Sequence, residues 1–74
     1  MRKDELIFLL GEEGIGVYKN IIDSIPTKRV NNKKDLKELY LSALIKVLSE
    51  LDIKIETSKI RFNTLDAIYN HSNL

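Results

Sequence analysis

The chain has 74 residues with 12 basic and 11 acidic side chains, a net charge of +1, and no cysteine. This length predicts a single domain, residues 1–74, near the lower limit at which one hydrophobic core suffices. The lack of cysteine excludes disulfides, thiolate metal sites and cysteine catalysis, and it predicts a cytoplasmic location. A net charge this small gives no strong bulk attraction to nucleic acid or to membranes.

Two short helical segments are predicted in the first third of the chain. The first covers about residues 3–10, and Gly11 together with the glycine pair in residues 14–16 is expected to interrupt it. A second amphipathic face follows over residues 15–25. Pro26 ends it, because the residue before a proline is pushed out of the helical region.

A long helix over about residues 32–52 dominates the sequence. Asn32 is a candidate N-cap, with Asp35 three residues later. Apolar residues recur at helical spacing and cover an arc of roughly 200°, about twice that of an ordinary surface helix. We expect this helix to be covered on two sides, by the rest of the chain or by a partner. Leu41 and Ile45, at the edge of the arc, are the candidate protein-interface residues.

Residues 53–62 allow two interpretations. They alternate like a hairpin that turns near Thr57, but a β-branched residue resists the positive φ of a tight turn. The favoured alternative is an extended link, a short helical turn, and a last helix capped by Asn63. Together these segments predict an all-α fold, a small four-helix domain around the long central helix.

Basic residues cluster around the start of the long helix: Lys28, Arg29, Lys33, Lys34 and Lys37. The helix dipole disfavours cations in the first turn by a few tenths to ~1 kcal/mol each. A bound anion would offset this cost, so the cluster is a candidate contact for phosphate or nucleic acid. The alternative interpretation is a solvated loop in a lysine-rich protein.

Catalytic and metal-binding patterns are lacking in this sequence. The lone histidine, His71, is close to the end of the sequence, and none of the serines has a histidine in a credible partner position. No metal, no cofactor and no enzymatic activity are therefore expected. The longest wholly apolar run, residues 6–10, is far shorter than the ~20 residues that span a bilayer, so no membrane partner is expected.

Parts of the sequence resemble the acyl carrier proteins. Residues 50–55 are similar to the end of the carrier's second helix and the link after it, and residues 63–69 to the entry of its last helix. Residues 9–13 are similar to the end of its first helix. The resemblance implies a four-helix layout. Carriers attach phosphopantetheine to the serine of an Asp-Ser-Leu motif, but residues 34–37 contain no serine, so no prosthetic group is implied.

The main functional hypothesis is a small non-enzymatic module that binds another protein or a second copy of itself. Its basis is the wide apolar arc of the long helix. Nucleic-acid binding through the basic cluster is the alternative hypothesis. A carrier-like domain without its prosthetic group is a minor one.

Overall fold

A computed structural model describes residues 2–26 and 32–71 of the chain. Within these ranges lie three helices, α1 (Lys3–Asp23), α2 (Lys33–Glu50) and α3 (Phe62–Tyr69), and no strand. The all-helical prediction is confirmed. The predicted number of four helices is not supported, because the helical backbone resumes directly after Gly11 without a connecting loop.

The first helix bends at Gly11, as predicted, but not at the next two glycines. Gly11 has φ 69° and ψ 177°, a non-helical conformation inside α1. Gly14 and Gly16 lie within the helix, so the predicted break there is wrong. Gly14 is buried because the end of α2 approaches it closely. A β-carbon at this position would lie 3.0 Å from Leu51 Cδ1.

The two ends of α2 are fixed by specific backbone contacts. The Asp35 amide donates to the Asn32 side chain at 2.9 Å, which confirms the predicted N-cap. At the other end Asp52 has a positive φ of 57°. The Ile53 amide donates to the Leu48 carbonyl at 2.9 Å, and the Asp52 amide donates to Ser49 at 3.2 Å. These two bonds form a Schellman motif, which ends the helix.

The link between α2 and α3 contains one turn and no hairpin. The Ile60 amide donates to the Thr57 carbonyl at 3.2 Å. This single bond closes one turn at the place where the sequence predicted a short helical turn. The last helix begins at Phe62 after Arg61, not after Asn63, and Arg61 makes no side-chain cap. Asn63 lies in the first turn, where its side chain cannot cap the helix.

Each helix packs against the other two around one core. The apolar arc of α2 is covered by α1 and α3, so most of its excess surface is ordinary core. The side chains of the core are almost completely buried. The core residues are Leu6, Leu10, Ile15, Tyr18, Ile22, Tyr40, Ala43, Leu44, Val47, Leu48, Ile60, Leu65 and Ile68.

Candidate protein-interaction surface

Four of the five aromatic residues of the chain pack together where the three helices meet. The Tyr40 ring lies at their centre, 5.8 Å from Phe62, 5.4 Å from Tyr69 and 6.3 Å from Tyr18 between centroids. Offset and tilted ring pairs at these distances contribute about 0.5–1.5 kcal/mol each beyond the area that they bury. This aromatic cluster joins α1, α2 and α3 and leaves Phe8 as the remaining aromatic residue.

The tyrosine hydroxyls of this cluster are satisfied by polar groups from other helices. Tyr18 donates to the Leu65 carbonyl at 3.0 Å, and Tyr69 donates to the Asp23 carboxylate. Among the described residues, no buried side-chain nitrogen or oxygen lacks a partner. Burial, with the nearby Tyr40 and Asp66, raises the pKa of Tyr18. The cluster therefore has a structural role, and its hydroxyl groups already have hydrogen-bond partners within the protein.

Phe8 is the exception to this aromatic packing. It lies on α1 with 89% of its side chain exposed, and its neighbour Leu9 is 38% exposed. Asp4 and Glu5, one turn earlier on the same helix, flank it. These four residues line an open depression of about 470 Å³, which we call the Phe8 surface. An aromatic side chain that is this exposed has no role in the core, which makes it a candidate anchor for a partner.

A second apolar surface is concave and lies at the end of α2. It is an open depression of about 320 Å³ between the last turns of the helix and the extended link. Leu48 and Ile53 join its two sides, because the Schellman motif brings the residues on either side of the helix end together. We call it the Ile45 groove, and its lining residues are Ile45, Leu48, Ser49, Ile53, Lys54, Ile55 and Thr57.

Lys54 is the charged residue among those that line the Ile45 groove. The nearby Glu56 carboxylate accepts hydrogen bonds from the Ser58 hydroxyl at 2.7 Å and from its amide at 3.0 Å. These bonds lower the pKa of Glu56. The Glu56 carboxylate therefore keeps its negative charge close to the Lys54 ammonium.

Of the two predicted interface residues, the structure places one on this surface. Ile45 is 48% exposed and lines the groove. Leu41, one turn earlier, is half-buried and packs against the core. Interface roles for both residues stay predictions. Of the two side chains, that of Ile45 is the more exposed.

The predicted basic cluster is described in part. Lys28 and Arg29 lie outside the described residues. The Lys33 ammonium lies over the Phe62 ring, 5.0 Å from its centroid, a cation–π contact that gives this lysine an intramolecular role. Lys34 is exposed and Lys37 is half-buried. A nucleic-acid contact through these residues stays a prediction.

The predicted interface residues do not include Phe8, although the apolar run around it in the sequence indicates that part of this run is exposed. Residues 6–10 are five consecutive apolar residues, and in a helix they turn through about 400°. They cannot all face one core. Leu6 and Leu10 are buried, so Phe8, between them, points to the opposite side.

Among residues 2–26 and 32–71, no group of three or more metal-binding side chains occurs. None of the helices there has the length and apolarity needed to cross a membrane. Comparison with protein-family models, curated proteins and solved structures finds no significant match.

Proposed function

We propose that this chain is a non-enzymatic interaction module that binds a protein partner through Phe8. The observation that carries the proposal is the 89% exposure of this ring in a chain that packs its other four aromatic rings together. A partner that covers Phe8 removes a large aromatic surface from water, and this burial contributes to binding.

Two further features support a protein partner. Phe8 and Leu9 are adjacent and project from a regular helix, so their positions are fixed before binding and little conformational entropy is lost. Asp4 and Glu5 supply charge beside the apolar contact, which gives specificity in addition to affinity. This arrangement of an aromatic anchor with a polar surround is typical of protein-binding hot spots.

Site-specific photo-crosslinking tests the proposal. Phe8 is replaced by p-benzoylphenylalanine, which keeps an aromatic ring at the position, and the protein is irradiated in the cells that express it. We expect a defined crosslinked protein product from this position. Asn20, exposed on the same helix, carries the probe in the control protein. Crosslinking from position 8 that is no stronger or more selective than from position 20 would contradict the proposal.

A further inference from the structure

Three exposed pairs of residues recur at four-residue spacing along the first half of α1. They are an acidic pair, an apolar pair and a second acidic pair: Asp4 and Glu5, Phe8 and Leu9, and Glu12 and Glu13. Residues four apart are neighbours on the surface of a helix. The helix bends at Gly11, but Leu10 and Gly14 are buried on either side of the bend, and the second acidic pair is exposed. The exposed face of α1 therefore continues across the bend, with the apolar pair between the two acidic pairs.

The stability of the helix explains the first acidic pair but not the second. Asp4 and Glu5 lie in the first turn of α1, where the helix dipole stabilises negative charge. Glu12 and Glu13 lie beyond the reach of this effect, which falls off within the first turn. Every residue three or four positions from either of them is apolar or glycine, so the helix offers them no ion pair. Their charge is a property of the surface beside Phe8.

The cations at the start of α1 lie away from the Phe8 ring. Lys3 is five residues from Phe8, about 140° around the helix at ~100° per residue. Arg2 precedes the first helical residue and is six residues from Phe8. Among the residues that the structure describes, the charged ones that line the Phe8 surface are Asp4 and Glu5. Residues 2–13 contain two cations and four carboxylates, a net charge of −2. The surroundings of the exposed ring are therefore acidic.

We propose that the partner of the Phe8 surface presents a basic protein segment, in which lysine or arginine flanks an apolar side chain. This inference rests on the proposed function and adds the chemistry of the partner. The apolar side chain packs on Phe8 and Leu9, and the flanking cations pair with the acidic residues before and after them. Complementary charge of this kind steers encounter and fixes the orientation of the segment. The same carboxylates repel nucleic acids and anionic membranes.

Removing the charge of the first acidic pair tests this pairing. Asp4→Asn with Glu5→Gln keeps the size of both side chains, in the protein that carries p-benzoylphenylalanine at position 8. Both positions are exposed, so the variant should fold, which circular dichroism checks. Extracts of the expressing cells are diluted until the yield is proportional to protein concentration. The yield of the selective product should then fall about 2- to 30-fold, the effect of losing two exposed ion pairs.

Asp35→Asn with Glu38→Gln is the matched control. Asp35 lies in the first turn of α2, and Glu38 is exposed one turn later. The Asn32 cap binds the backbone amide of Asp35 and not its carboxylate, so the cap is kept. This variant also loses two carboxylates, one of them from the first turn of a helix. Its crosslinking yield from position 8 should equal that of the unsubstituted probe protein.

Mass spectrometry of the crosslinked product identifies the segment that contacts position 8. We expect lysine and arginine to outnumber aspartate and glutamate within about four residues on either side of the crosslinked residue, the spacing of the acidic pairs on α1. The yield should also fall as sodium chloride is added, because salt screens exposed charges. The composition of the segment is measured with all four carboxylates in place, so this result does not depend on how the variant folds.

Two results overturn the inference and leave the proposed function intact. One is a yield that does not change when the charges of Asp4 and Glu5 are removed. The other is a crosslinked segment that is acidic or uncharged. In both cases selective crosslinking to a protein persists. A product that contains lipid or nucleic acid in place of protein, or equal crosslinking from positions 8 and 20, overturns the inference and the proposed function together.

Discussion

Gly11 has a backbone conformation that other residues can rarely adopt. Its φ of 69° and ψ of 177° lie in a region that is essentially restricted to glycine. A β-carbon there meets no atom within 4 Å, so the cost of a replacement is conformational and not steric. We expect Gly11→Ala to lower the free energy of unfolding by about 1–3 kcal/mol, measured by urea denaturation.

Gly16 provides the matched control for this experiment. It lies in the regular part of α1, and a β-carbon there also meets nothing within 4 Å. Gly16→Ala should raise the free energy of unfolding by roughly 0.5–1 kcal/mol, because alanine loses less entropy in a helix. If both replacements stabilise the protein, α1 does not bend at Gly11.

The contrast among the glycines explains how far the sequence could predict α1. From residue type alone, Gly11, Gly14 and Gly16 are equally possible helix breaks. In the structure α1 departs from helical geometry at Gly11, whereas Gly14 and Gly16 stay helical. Gly14 also faces the close approach of Leu51, which leaves little room for a β-carbon. Such an approach depends on where α2 ends, and no local pattern in residues 11–16 encodes it.

Contacts between elements make stability depend on tyrosine ionisation. Burial raises the pKa of Tyr18 and Tyr40, and the hydrogen bond to Asp23 raises that of Tyr69. A raised pKa means that the folded state holds the proton more strongly. The stabilisation that the protonated tyrosines give to the folded state is complete below their unfolded pKa of about 10. It is lost as pH rises above that value.

Tyr18→Phe isolates the largest of these effects. At neutral pH the loss of its hydrogen bond to Leu65 should cost about 1 kcal/mol. Above pH 10 wild-type stability should fall by up to about 1.4 kcal/mol more per pH unit than that of the variant, because Tyr18 ionises only on unfolding. The gap between the two proteins should close with rising pH in urea titrations. Parallel pH profiles would show that the Tyr18 hydroxyl titrates normally when folded.

The positions of the helices were more predictable than their contacts with one another. Periodicity located α2, and the side chain of Asn32 fixed its start. The end of α2 and the start of α3 were each misplaced by one or two residues. The Schellman motif at Asp52 was missed because it uses an aspartate where glycine is usual. The Ile45 groove depends on that motif. Of the residues that line the groove, Ile45 is therefore the one that the sequence indicated as an interface candidate.

At the scale of the whole molecule, stability is limited by size. A chain of 74 residues is expected to have a free energy of unfolding of only about 4–11 kcal/mol. Loss of one fully buried side chain therefore removes a large share of the total. An exposed side chain of similar size contributes little in a monomer, however apolar it is.

Leu6 and Phe8 test this difference within one helix. Leu6 is fully buried and Phe8 is 89% exposed, although only one residue separates them. Leu6→Ala should lower the free energy of unfolding by about 2–5 kcal/mol. Phe8→Ala should change it by no more than about 0.5 kcal/mol in dilute protein. Urea denaturation followed by circular dichroism measures both.

The difference between the two variants follows from burial, because Leu6 lies in the core and Phe8 does not. A cost of Phe8→Ala as large as that of Leu6→Ala would place this ring in the core.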